Sequence, residues 1–356
     1  MRRILLFLVL ALPLISSGQS DPEARKNTFF PIPVAFWTPE TRIGVGAALI
    51  YNFYLDKSDT ISPPSQLQGG FAITQERQQL YYLPYKLWWG ERQNYAFGEV
   101  GYYKYNYFFY GVGNDDANAE ERYGVDFTRI RVNYLRQVLK TNRGGWSLGA
   151  RAWIEDWTFT EFEDEGALAS GRINGAEGGL TIDPGFIIFG DYRDNVYNPS
   201  RGSYLELVTQ HSTGDFRFHR YRVDARVYNK IAKPVLWANQ VFVDVTTGDT
   251  PFYMMTMLGG TKRMRGYYEG RFRDKSGVLY QTELRAKIWR RWGAVAFFSA
   301  GIVDRNPNYW SIANLRNAGG AGIRFLLDPE KNINVRFDVA AGPGSTQFYF
   351  TVGEAF

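Results

Sequence analysis

Gln347-Phe348-Tyr349-Phe350-Thr351-Val352-Gly353-Glu354-Ala355-Phe356, the last ten residues, decide the fold class. Strand side chains alternate faces with a period of two, so Phe348, Phe350, Val352 and Phe356 share one face and Tyr349, Thr351 and Gly353 the other. A water-soluble sheet ending on such a strand would leave an apolar edge open to other chains. A closed barrel in a bilayer has no such edge, because its last strand pairs with its first. The segment therefore points to an all-β chain folded as a single transmembrane antiparallel β-barrel.

The same alternation recurs upstream. Charged residues occupy the even positions of Arg220-Tyr221-Arg222-Val223-Asp224-Ala225-Arg226-Val227, and apolar or aromatic residues the odd ones. Thr128 to Tyr134 repeats the pattern. Gln281, Glu283, Arg285 and Lys287 interleave with Tyr280, Thr282, Leu284, Ala286 and Ile288, and Asn334, Arg336 and Asp338 with Ile333, Val335, Phe337 and Val339. Many runs reach about 10 residues, the length of a tilted membrane strand, and the charged rows read as lumenal. Aromatic residues make up 17% of the chain, yet its mean hydropathy is −0.33. A helical membrane protein would be far more apolar; a barrel with an apolar belt, aromatic girdles and a wet lumen fits both values.

Arg2 and Arg3 precede an apolar stretch from Ile4 to Ile15, too short to span a bilayer comfortably, and Ser16-Ser17-Gly18 supplies small residues before a cut at Gln19. We expect a signal peptide over 1–18, a short periplasmic segment over 19–28 and the barrel over 29–356. The formal charge of +5 includes Arg2 and Arg3, and what remains is too small to argue for a nucleic-acid partner. There is no cysteine, hence no disulfide framework.

Turns divide into two classes. Thr141–Gly144, Asn198–Gly202, Lys233-Pro234, Arg291–Gly293 and Glu330–Asn332 are short and would face the periplasm. Gly111–Glu121, Glu161–Gly171 and, longest, Thr247–Gly277 would face outward. About sixteen strands fit between them, an even number as bacterial barrels show.

Four segments in order carry a family resemblance. They are Gly190-Asp191-Tyr192-Arg193-Asp194-Asn195 with Pro199 and Gly202; Leu258 to Tyr267, with Arg265-Gly266-Tyr267 at its tip; Gly319 to Phe325 before Asn334-Val335-Arg336-Phe337; and the terminal strand. Together they resemble the BamA/TamA-type bacterial surface antigen family of outer-membrane barrels, in a short form lacking the POTRA domains. The resemblance covers essentially the whole mature chain. It implies that a long sixth extracellular loop folds into the lumen and that the terminal strand serves as an insertion signal. The implied function is protein insertion or translocation, or membrane assembly, at the outer membrane. Outer-membrane lipid and lipopolysaccharide would surround the barrel, the assembly machinery would insert it, and a periplasmic or lipoprotein partner would replace the missing domains.

A guanidinium pushed into a narrow lumen needs a carboxylate, and Glu283, on the lumenal face of the next strand, is the candidate for Arg265. Gly266 permits a sharp turn and Tyr267 offers a flat anchor with a polar tip. Where the family places an Asp on the following upstroke strand, this chain has Ser299, which leaves the lock to Glu283 alone. Pro31 and Pro33 lack N–H donors on one edge of the first strand. If that edge faces the last strand, the closure seam, with Tyr349, Phe350, Gly353 and Phe356 on its other side, is weak; if it faces the second strand, the prolines only end that pairing early.

No cofactor, metal site or enzyme activity is expected. His211 and His219 are the only histidines and stand in no ligand spacing along the chain. The rival readings are a passive porin-like channel, with the lumen open past the long loop, and a structural or lipid-perturbing barrel without transport.

Overall fold

The structure, a computed structural model, describes residues 26–114, 120–141, 144–329 and 332–356. The expected signal peptide and residues 19–25 lie outside them, as do Asn142, Arg143, Glu330 and Lys331 of two expected turns and residues 115–119 of one long loop.

Period-two alternation gives strands throughout. They are β1 (Thr28–Thr38), β2 (Arg42–Phe53), β3 (Ser65–Thr74), β4 (Gln79–Trp89), β5 (Asn94–Phe109), β6 (Glu121–Thr141), β7 (Gly144–Phe162), β8 (Gly179–Asp191), β9 (Gly202–Gly214), β10 (Phe218–Ala232) and β11 (Val235–Gly248). After a long loop that holds the small hairpin β12 (Thr256–Leu258) and β13 (Phe272–Asp274) come β14 (Ser276–Trp289), β15 (Trp292–Asp304), β16 (Arg316–Asp328), β17 (Ile333–Gly342) and β18 (Ser345–Val352). β1–β11 and β14–β18 form one closed antiparallel barrel of sixteen strands, as expected.

The burial pattern is that of a water-soluble protein turned inside out. On β10, Arg220 and Asp224 are buried while Tyr221 and Val227 are exposed; on β14, Gln281, Glu283 and Arg285 are buried while Tyr280 and Leu284 are exposed. Burying charge and exposing apolar surface is stable only where the outside is hydrocarbon. No helix among the described residues is long and apolar enough to cross a membrane.

The strand ends joined by the expected short turns lie at one end of the barrel and those joined by the long loops at the other, termed here the turn end and the loop end. At the loop end, β5, β6 and β7 run 16, 21 and 19 residues. Their lumenal aromatics do not join lipid girdles. Tyr103, Phe109, Tyr123, Phe127 and Trp157 pack inward against Phe252 and Tyr253 of the longest loop. Phe127 stacks on Trp157 at 4.2 Å and Trp157 on Tyr253 at 4.5 Å. Aromatic content reported a membrane barrel, but a good part of it fills the loop end of the lumen rather than leaving it wet.

The closure is uneven. β1 pairs with β2 through eleven consecutive residues, straight across Pro31 and Pro33, but meets β18 at one register pair, Trp37 opposite Phe350. An unbroken ladder cannot use donors that proline lacks, so both proline nitrogens point to the other edge, toward β18. Of the two sequence-based alternatives, the prolines therefore thin the seam. Hydrogen exchange resolved by residue in micelles should find the β18 amides that face β1 exchanging roughly tenfold or more faster than those that face β17. Equal protection of both edges would contradict a one-pair seam.

Candidate functional site

The longest connection, between β11 and β14, folds back into the barrel. Its stem is the β12–β13 hairpin, and its apolar side chains Leu258, Met264, Tyr267 and Phe272 pack with Phe242, Leu279, Val303 and Ala318 of the wall. At its tip the Arg265 guanidinium is 2% exposed. Nη2 pairs with Glu283 Oε1 on β14, and Nη1 stands 2.5 Å from Asp338 Oδ2 on β17. The Phe297 ring on β15 lies face-on, its centroid 3.6 Å from the guanidinium carbon. A buried cation thus has two carboxylates and an aromatic face, which charge-assisted hydrogen bonding and cation–π attraction favour.

The carboxylates are themselves shared. Arg285 Nε is 2.6 Å from Glu283 Oε2, Arg324 Nη1 is 2.6 Å from Asp338 Oδ1, and Arg336 Nη1 is 3.3 Å from Asp338 Oδ2. Glu354, just past β18, accepts from Arg324 Nε at 2.9 Å and from Asn334 Nδ2 at 2.7 Å. Four guanidinium groups and three carboxylates therefore form one lumenal network. The run Gly319 to Gly322 makes room for it, because a Cβ at Gly322 would collide with the Asp338 carboxylate.

Each residue singled out in the sequence has a definite place. Gly266 has φ +118°, a region that side chains disfavour, and a Cβ there would press on Ala318 at 3.0 Å. Its N–H donates to the Tyr349 hydroxyl at 3.0 Å, which in turn donates to the Tyr267 carbonyl at 3.3 Å. The Tyr267 hydroxyl donates to the Asn317 carbonyl at 3.0 Å. Ser299 is buried but donates to the Ala318 carbonyl at 3.3 Å, and the group on its strand that meets Arg265 is Phe297. The expectation that Glu283 would stand alone is corrected by Asp338. Alternation marked Asp338 as lumenal, yet only barrel curvature shows that β14 and β17 both face the loop tip.

Phe348, Phe350 and Val352 are exposed on the outer face and Tyr349 is buried, as alternation requires. Phe356 departs from its expected face. β18 ends at Val352, Gly353 turns with φ +87°, and Ala355 and Phe356 enter the lumen against Tyr228, Leu236 and Ala238. An unbroken strand would set Glu354 on the lipid face beside Phe356. The turn instead delivers the carboxylate to Arg324, and Phe356 follows, its carbonyl accepting from Arg285 Nη2 at 3.1 Å.

A second attachment, which no spacing in the sequence signals, reaches the first hairpin. Glu40, in the turn between β1 and β2, is buried and its Oε1 accepts from Glu269 N at 2.9 Å. Gln78 Nε2 donates to the Glu40 carbonyl at 2.9 Å. Burial, and then the Glu269 charge, pushes the Glu40 carboxyl up to about 7.

The string Gly145-Trp146-Ser147-Leu148-Gly149 has the spacing of a hydrolase nucleophile elbow. It lies inside β7 with no helix after it, and both histidines sit on the outward faces of other strands, so no serine–histidine pair exists. Among the described residues no group of three or more His, Cys, Asp or Glu could hold a metal.

Two measurements follow from this geometry. Arg265→Ala strips the charge between two buried carboxylates and should cost on the order of 3–5 kcal/mol, read as a lower denaturant midpoint in micelles, with Arg265→Lys intermediate. An unchanged midpoint would mean that the neighbouring arginines suffice. Glu40, held above its ordinary value of 4.5, favours the folded state fully below about pH 4.5 and loses that contribution as pH rises through about 7. The wild-type unfolding free energy should fall over that window by an amount on the order of 3 kcal/mol, read as a falling denaturant midpoint, and Glu40→Gln should flatten the slope. A slope that survives the substitution would place the titration elsewhere.

The Omp85 superfamily domain matches residues 34–356. No curated protein matches the chain. Among solved structures the chain is similar to BamA from Haemophilus ducreyi lacking POTRA domains 1–3, at 14% identity and a TM-score of 0.61, over 92% of this chain and 70% of that one. It is also similar to CdiB from Escherichia coli, at 10% identity and a TM-score of 0.63 over 94% and 63%, and to CdiB from Acinetobacter baumannii, at 10% and 0.61 over 93% and 60%. The chain thus spans rather less than two thirds of the length of the CdiB proteins. At such identities the likeness is one of fold, a closed sixteen-stranded antiparallel barrel. The domain match extends that likeness to descent: the chain belongs to the Omp85 superfamily.

Proposed function

We propose that this barrel assists insertion or translocation of polypeptide at the outer membrane, with the Arg265 loop as a lumenal lock and the β1–β18 seam as the part that opens. One observation carries the reading: the loop holds both sides of the seam. Glu269 binds Glu40 beside β1, while Gly266 and Tyr267 bind Tyr349 of β18. Strands joined by a single register pair are thus bridged by the plug, and shifting the loop removes what substitutes for the missing ladder.

The lumen is asymmetric in a way that suits this role. The turn end, periplasmic on this reading, holds a cavity of about 1870 Å³ lined by Lys86, Tyr95, Lys140, Tyr192, Tyr228 and Lys230 among others. The loop end is packed with aromatics. A client, or a periplasmic or lipoprotein partner, would engage the open end. Outer-membrane lipid and lipopolysaccharide would meet the apolar wall beside the seam. Enzyme activity has no part in the proposal.

Planar-bilayer recordings of the wild type should show a small, flickering current that grows in Arg265→Ala. A large steady current that the substitution leaves unchanged would favour the porin-like channel instead. In proteoliposomes the protein should speed insertion of a small outer-membrane barrel, and a disulfide between Trp37→Cys and Phe350→Cys should remove that effect until reduced. Insertion at the same rate with the seam closed would overturn the seam as the gate.

A further inference from the structure

The two histidines, eight positions apart in the chain, are brought together by the β9–β10 hairpin. Its three-residue turn sets His211 directly opposite His219. Their ring centroids are 4.5 Å apart and their planes tilted by 33°. Both imidazoles are exposed, whereas Gln210, Ser212, Phe218 and Arg220 beside them are buried, so the pair faces outward from the barrel wall. It lies close to the hairpin turn at the loop end. Thr209 and Thr213 flank His211 on the same face and Thr247 of β11 stands opposite His219, while Ile182 and Phe186 of β8 and Tyr221 of β10 are the exposed apolar neighbours. Neither imidazole has a hydrogen-bond or ion-pair partner among the described residues.

We propose that His211 and His219 form a two-imidazole site for a borderline divalent transition-metal ion, Cu²⁺ or Ni²⁺, on the outer rim of the barrel. The geometry carries it. A metal–nitrogen bond of about 2.0–2.1 Å puts the ion about 3.2 Å from an imidazole centroid, so two rings sharing an ion at the near-right angle of square-planar or tetragonal coordination have centroids about 4.5 Å apart. That is the separation found here. The hairpin fixes the register, and strands hold the two rings already adjacent, so little ordering is needed on binding. Neutral imidazole is a common ligand for these ions, while Mg²⁺ and Ca²⁺ prefer oxygen donors. With no third protein ligand in the cluster, water fills the other positions. The site is therefore open and exchangeable, unlike the closed sets of structural zinc. It is independent of the loop and the seam.

The test uses the full chain without a polyhistidine tag, purified in detergent. Calorimetric titration with Cu²⁺ and with Ni²⁺ should give one ion per barrel, and His211→Ala or His219→Ala should each weaken binding at least tenfold. Both side chains are on the surface, and the denaturant midpoint without metal verifies that each variant folds. Electron paramagnetic resonance of the copper form should report two nitrogen ligands in the wild type. Absence of stoichiometric binding, equal affinity in either variant, or displacement by an equal concentration of Mg²⁺ would each overturn the proposal.

Discussion

A guanidinium enclosed in a barrel governs the rest of this structure. Removing an ion from water costs several kcal/mol, and Arg265 is all but inaccessible. It is tolerated because β14 and β17 both turn a carboxylate toward the same point. Those carboxylates would repel each other without further cations, so Arg285, Arg324 and Arg336 are drawn in. Packing four guanidinium groups into one wall demands small neighbours, which the glycine run of β16 supplies. Even the bend after Val352 answers the same demand, since it delivers Glu354 to Arg324. The loop, the wall and the C-terminal residues are one electrostatic unit.

Hydrocarbon imposes the complementary constraint. A backbone N–H or C=O in lipid must find a partner within the protein, which is why barrels close. The ladder is continuous or nearly so between neighbouring strands everywhere except between β1 and β18. Prolines at positions 31 and 33 soften that exception, because a nitrogen without hydrogen has no unmet donor to bury. The same two residues that weaken the seam also lower the cost of leaving it weak.

Much of this was legible in the sequence because membrane strands obey a strict parity. Parity gave the all-β class, the strand number, the outward Phe348 and Phe350, and the inward Glu283 and Asp338. It cannot say which inward groups meet across a lumen, and it is there that Asp338 joins Glu283 and that Phe297, not Ser299, meets the guanidinium. Parity also fails at a bend, as at Gly353, although a carboxylate at position 354 on a lipid-facing register was itself the clue. The histidines show the limit from the other side. Ligand motifs are defined by spacing along the chain, whereas a hairpin pairs residues by their distance from its turn, and His211 and His219 are equidistant from the turn centre.

The two constraints meet at the loop. Arg265 fixes it to β17 and β14, two and five strands from β1 around the wall, yet Tyr349 and Glu40 tie the same short segment to both flanks of the seam. A displacement of the tip is then felt at the seam without passing through the rest of the wall, because the barrel elsewhere is held by long ladders that resist change. The contacts are unequal. The Tyr349 side is neutral and hydrogen-bonded within a buried cluster, while the Glu40 side carries a carboxyl whose charge is opposed by burial and by Glu269. Ionisation therefore weakens the attachment on the β1 flank and leaves that on β18 intact. On the proposed reading β1 is the flank that yields first, and β18 stays with the loop.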